Sequence, residues 1–228
     1  ATTSYAVAMG YNCLSAASYA VALGYQAQAT GNNAFAAGAS STYQERANAT
    51  ASGAVALGGA YANGTDSVAI GASAKSTEIG KISFSNDKFS AVGDSQGGLF
   101  ILRADTTGAT AEALTTNNST AATTNQVVLP NNSVYGFTGT ITARENSAAT
   151  NDFAIWEVKG GAVRGSSAST TALGSYNINT ISESTGAANW SIAISADTTN
   201  GAIAFTVTGE AVHQIRWVAT INTTEVIY

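Results

Sequence analysis

The chain carries one histidine, His213, and one cysteine, Cys13, against 14 acidic and nine basic residues among 228. One imidazole and one thiol cannot build a zinc site of the usual kind within a single chain, so no metal and no cofactor is expected. His213 shares the parity of Ile215 and Trp217, which gives it a structural place near a strand end. Cys13 occupies a slot that is mostly small in the surrounding repeat. No GxxxxGK[ST] phosphate loop occurs. Glycoside hydrolysis needs two carboxyl groups at a set separation. Asp94, Asp105, Glu145, Asp152, Glu157, Glu183, Asp197 and Glu210 supply the groups, but no local spacing selects a pair. The chain is therefore expected not to be an enzyme. What remains is binding, for which loop tips are the default place. Tyr43, Glu45 and Arg46 form one candidate patch; Arg144, Glu145, Asn146 and Asn151 form another. Sugars suit such groups, because aromatic faces and amide or carboxylate groups meet the two kinds of surface a sugar offers. Loop polarity alone accounts for the same composition.

The elements that would position these residues begin with a repeat. SYAVAMG (Ser4–Gly10), SYAVALG (Ser18–Gly24), NNAFAAG (Asn32–Gly38), SGAVALG (Ser52–Gly58) and TDSVAIG (Thr65–Gly71) are five copies of one motif. Their closing glycines are 14, 14, 20 and 13 residues apart, a period that indicates stacked coils. Val7, Val21, Phe35, Val55 and Val68 alternate with Ala8, Ala22, Ala36, Ala56 and Ala69. Period two means a short strand with large apolar groups on one side and alanine on the other. The larger side chains are expected inside and the alanine face outside, open to close packing by another chain. About five coils enclose a thin core, which implies self-association about an axis parallel to the stack. The six-residue excess near 41–51 is expected to loop outward and carry Tyr43, Glu45 and Arg46. The array starts three residues after Ala1, as if cut from a longer one.

Beyond the repeat, residues 78–98 read as a connector or neck. From 99 to 228 the texture is β throughout, with Tyr135, Phe137, Ile141 and Ala143 on one side of a strand and Ile215, Trp217, Ala219 and Ile221 on one side of the last. Gly160–Gly161 reads as a two-residue hairpin turn. Frequent turns and no convincing helix indicate a β-sandwich or jelly-roll module. The expected fold is thus all-β: a β-roll repeat domain (1–77), a connector (78–98) and a C-terminal sandwich (99–228). A net charge of −5 with scattered Lys and Arg excludes a nucleic-acid groove, and no apolar run is long enough to span a membrane.

The AVALG and SVAIG copies of residues 4–76 resemble the head repeats of trimeric autotransporter adhesins, which also occur in bacteriophage fibres. That resemblance implies a left-handed parallel β-roll and a homotrimer. NQVVLPNNSVYGFTGTITAR and HQIRWVATINTTEVIY, within roughly 95–228, are similar to the C-terminal module of marine bacteriophage tail-fibre proteins, which implies a virion fibre tip. The implied function is a fibre or receptor-binding protein of an extracellular virion. It would join other tail proteins through a preceding part and attach to a host-surface receptor, a polysaccharide being the expected class. A cellular adhesin fragment and a ligand-free spacer are the alternatives.

Overall fold

A computed structural model describes residues 3–39, 46–146 and 150–228. The chain divides into two units, residues 1–98 with 225–227 and residues 99–224 with 228.

Among the described residues, the first unit is built from β1 (Val7–Met9), β2 (Leu14–Ser15), β3 (Val21–Tyr25), β4 (Gln28–Ala29), β5 (Phe35–Ala39), β6 (Asn48–Ala49), β7 (Val55–Leu57), β8 (Tyr61–Ala62), β9 (Val68–Gly71), β10 (Lys75–Ser76) and β11 (Ile82–Ser85). The odd-numbered strands pair in parallel as one sheet and the even-numbered ones as a second. Motif copies lie in register, Val7 beside Val21, then Phe35, Val55 and Val68. The ladder then runs on: Ile82 pairs with Val68 and Phe84 with Ile70. Residues expected in a connector thus add a further rung, with Ser83 in the alanine slot. Its outline is hidden in the sequence because Ser83 stands in the alanine slot, Phe84 pairs with Ile70 and Ser85 takes the place of the motif glycine.

The two faces are the reverse of the expectation. Ala22, Ala36, Ala56 and Ala69 are fully buried and meet Ala29, Ala49 and Ala62 of the second sheet. The larger side chains point outward: Val7 is 45% exposed, Met9 64% and Phe84 57%. A coil of about 14 residues folded into two back-to-back strands leaves a lumen that opposed methyl groups fill, and interiors packed to solid-like density have no room for more. Two backbone features set each corner. The residue two before every odd-numbered strand, Tyr5, Tyr19, Asn33, Gly53, Asp66 and Gly80, has φ between 55° and 68°. At the motif glycine the rungs nearly touch, and a Cβ on Gly24 would stand 1.9 Å from the Gly38 carbonyl oxygen.

The lumen ends in charge. Lys81 fills the slot held by Ala20, Ala34, Ala54 and Ser67 in earlier rungs, and it is 1% exposed. Its ammonium lies 3.0 Å from Glu225 and 3.4 Å from Glu78, while Gln96 Nε2 donates to Glu225 at 2.6 Å.

The second unit, described by itself, holds most of β12 (Ser95–Thr106), then β13 (Glu112–Ala113), β14 (Val127–Val128), β15 (Ser133–Glu145), β16 (Phe153–Arg164), β17 (Ala172–Glu183), β18 (Ser191–Asp197), β19 (Ala202–Thr208) and most of β20 (Ile215–Ile227). One sheet runs β12-β20-β15-β16-β17; in the other, β19 pairs with β13, β14 and β18. They share one core, in which Trp217 stacks on Trp156 at 5.7 Å and Phe137 meets Phe205 edge-on at 5.5 Å. Burying an indole leaves an N–H to satisfy, and Trp217 Nε1 donates to Thr106 Oγ1 at 3.0 Å. Gly160–Gly161 makes no hairpin. Both lie inside β16, with Gly160 opposite Phe137. A Cβ on Gly160 would stand 2.8 Å from the Phe137 ring and 2.6 Å from Tyr176 Cβ, so this glycine makes room between two aromatic residues rather than turning the chain.

Candidate functional site

One end of the second unit gathers the polar side chains that the core excludes. β15 alternates, so Ile141, Ala143 and Glu145 face inward while Thr142, Arg144 and Asn146 face out. Glu145 is therefore a carboxylate at the margin of the core, its side chain 8% exposed. A carboxylate there needs donors, and two converge on it. Thr150 donates its hydroxyl to Oε2, and His213 Nδ1 lies 2.8 Å from Oε1. The Thr150 hydrogen bond is the largest influence on the Glu145 carboxyl; with that of His213 it outweighs burial and holds the group below the usual carboxylate range. With both oxygens engaged, Glu145 ties Thr150, ahead of β16, to His213, ahead of β20.

Around that anchor the bonds run outward. Arg144 donates to Asn151 Oδ1 at 2.9 Å, and Asn146 donates its side-chain amide to Gln214 Oε1 at 2.9 Å. Gln214 in turn donates to Asp105 at 2.9 Å, and the Arg216 guanidinium lies 3.8 Å from the same carboxylate. Asp152 accepts from Ser184 Oγ at 2.7 Å. The result is a loop cluster with exposed guanidinium and amide groups over a carboxylate–imidazole pair, able to donate and accept hydrogen bonds toward a hydroxyl-rich ligand.

Arg144, Glu145, Asn146 and Asn151 are thus brought together. Arg46 belongs to the first unit and is 7% exposed, buried rather than projecting. Tyr43 and Glu45 lie outside the described residues. Sequence reasoning missed Thr150, Gln214 and the partner of His213, and named Asp152 only among carboxyl groups that no spacing selects. Part of the signal was available: Glu145 shares the parity of Ile141 and Ala143, which marks a carboxylate that must find partners.

No family model and no curated protein matches this chain. Among solved structures it is similar to the tailspike protein gp49 of Acinetobacter baumannii bacteriophage Fri1, described as a capsular polysaccharide depolymerase. Identity is 11% over 85% of this chain and 37% of that one, with a TM-score of 0.32. It is also similar to the tailspike of Acinetobacter phage vB_ApiP_P1, at 10% identity over 98% of this chain and 47% of that one, TM-score 0.29. For the tailspike of Acinetobacter baumannii phage AM24 the figures are 9%, 86%, 33% and 0.27. The chain therefore spans less than half the length of these proteins. One expectation is corrected. The absence of a spaced carboxyl pair was read as absence of catalysis; a protein to which the chain is similar is a polysaccharide depolymerase, and the exclusion is withdrawn.

Proposed function

We propose that the chain is part of a bacteriophage tail fibre or tailspike, exposed on the virion among other tail proteins, that assembles as a homotrimer and attaches to polysaccharide on the host surface. The observation that carries this reading is the outward apolar stripe of the coil stack. Val7, Met9, Val21, Leu23, Val55, Leu57, Ile70 and Phe84 rise rung upon rung on one sheet, exposed or half-exposed. Contiguous exposed apolar surface is an association surface. Copies of one chain match it best, because two identical stacks set side by side repeat at the same rung spacing. The number three follows from the resemblance of the repeat to trimeric heads. The loop cluster around Glu145 supports attachment, since guanidinium and amide groups suit sugar hydroxyls.

Mass in solution tests the assembly. A trimer gives three times the 22.9 kDa of one chain, and a folded, stable monomer refutes it. Attachment is tested by retention of the full chain on a panel of purified bacterial capsular polysaccharides; a folded trimer that none retains refutes attachment. A reducing-end assay on the same mixtures reports whether retained polysaccharide is also cleaved.

A further inference from the structure

Residues 86–94 of the first unit form a loop in which one carboxylate gathers three backbone N–H groups. Asp94 accepts the backbone N–H groups of Phe89, Ser90 and Ala91 at 2.8, 2.6 and 2.7 Å. The loop lies directly on β10, where a Cβ on Gly93 would stand 2.8 Å from Lys75 Cβ. Lys75 is fixed in turn, its N–H donating to Gln96 Oε1 at 2.8 Å and its carbonyl accepting from Gln96 Nε2 at 2.9 Å. Between this loop and the outward face of β8 and β10 lies a cleft of about 390 Å³, lined by Tyr61, Asn63, Lys75, Lys88, Ser90 and Val92. That volume suits a small ligand.

The lining has a definite chemistry. Two of the chain's nine basic residues line the cleft, and no carboxylate does, although acids outnumber bases 14 to nine. Lys75 pairs with Tyr61 across adjacent rungs, so an ammonium and a phenol ring share one face, with Asn63 two residues further along it. A ring offers a platform for an apolar C–H face, an amide and a hydroxyl bind ring hydroxyls, and paired ammonium groups bind a carboxylate.

We propose that this cleft binds an acidic sugar, a hexuronate unit of an anionic polysaccharide. Lys75 and Lys88 take the carboxylate, Tyr61 takes the sugar's apolar face, and Asn63 and Ser90 take its hydroxyls. The proposal extends the polysaccharide reading above and commits it to charge. Ligand-observed saturation-transfer NMR on the full chain, with D-glucuronate, D-glucose and acetate as separate probes, tests it. Glucuronate is expected to bind with a millimolar constant, and glucose and acetate at least about tenfold more weakly, a difference of roughly 1.4 kcal/mol. Lys75→Gln and Tyr61→Ala each lower glucuronate binding several-fold, and Lys75→Arg retains it. Lys88→Gln serves if Lys75→Gln fails to fold. Glucose binding as tightly as glucuronate overturns the charge, and acetate binding as tightly reduces the site to an anion hole. Glucuronate binding unchanged in the variants, or absent, overturns the cleft. The two readings fail separately: a wild-type chain that acidic polysaccharides retain but that gives no glucuronate signal removes the cleft and leaves attachment, through the Glu145 cluster, standing. A wild-type chain that no polysaccharide retains removes attachment, while the glucuronate titration still decides the cleft.

Discussion

Lys81→Met is the sharpest test of how the coil stack ends. In the wild type one ammonium and two carboxylates, Glu78 and Glu225, share a site from which solvent is excluded. Methionine keeps most of the volume of the lysine stem but leaves two buried carboxylates without their cation. Breaking a buried ion pair by removing one partner costs about 3–5 kcal/mol. The variant should therefore lose about 3 kcal/mol or more, roughly a hundredfold in the opening equilibrium at 1.4 kcal/mol per decade. Glu225→Gln should cost less, because Lys81 keeps Glu78. Glu78→Gln should cost least, because the shorter contact to Glu225 survives. Hydrogen exchange at the Val68 amide, which donates to the Lys81 carbonyl at 2.9 Å, reads opening of this rung locally, and urea unfolding reads it globally. There is a pH signature as well. Burial alone would lower the Lys81 pKa, but the two carboxylates and their hydrogen bonds outweigh it and raise the value above 10.5. The stabilisation is accordingly complete below the unfolded value and is lost as pH rises through the higher folded value. That alkaline loss should vanish in Lys81→Met. A variant as stable as wild type, or one with the same alkaline transition, refutes this account of the cluster.

Three further outcomes concern other parts of the first unit. Ala56→Val puts two extra carbons into a filled lumen and should cost about 1–3 kcal/mol by thermal unfolding, whereas Val55→Ala on the outer face should leave chain stability nearly unchanged and weaken assembly measured by sedimentation. Asp94→Asn weakens the clamp on the 86–94 loop. Burial would raise the Asp94 pKa, but the amides of Ala91, Ser90 and Phe89 outweigh it and hold it below 3.8. That stabilisation is present above 3.8 and lost as pH falls through the lower folded value, so the variant should show a smaller acid destabilisation than wild type.

The coils were legible because residue identity recurs where the physics recurs: the motif glycine can be nothing else with the next rung's carbonyl against it. Which face turns inward was not legible, since Val and Ala are both apolar and alternation alone does not say which is inside. Lumen width decides that, and it is a property of two strands together. The left-handed residue before each odd-numbered strand escaped notice for the opposite reason, because conformation is shared while identity wanders from Tyr to Asn, Asp and Gly. In the second unit the parities of Tyr135–Ala143 and of Ile215–Ile221 point to the core that forms. Gly160–Gly161 misled because a glycine pair that clears space for Phe137 and Tyr176 is spelled like a turn. At the loop cluster the sequence points to Arg144, Glu145, Asn146 and Asn151. The bonds that join them to His213 and Gln214, 68 residues away for Glu145–His213, depend on tertiary pairing.

The stacked glycines carry a consequence for how such a shaft changes over generations. Each rung offers its neighbours the same glycine seat, the same left-handed corner and the same methyl-lined interior. Loss or duplication of one whole coil of DNA repeat would rejoin matching surfaces, whereas loss of half a coil would present the second sheet's corner to the first. The spacing from β5 to β6 is six residues longer than in the other coils and that from β7 to β8 is one shorter, and both changes lie on the passage from the first sheet to the second. Length in this part of the chain is thus free to drift by whole coils, and small insertions are confined to one edge of the stack.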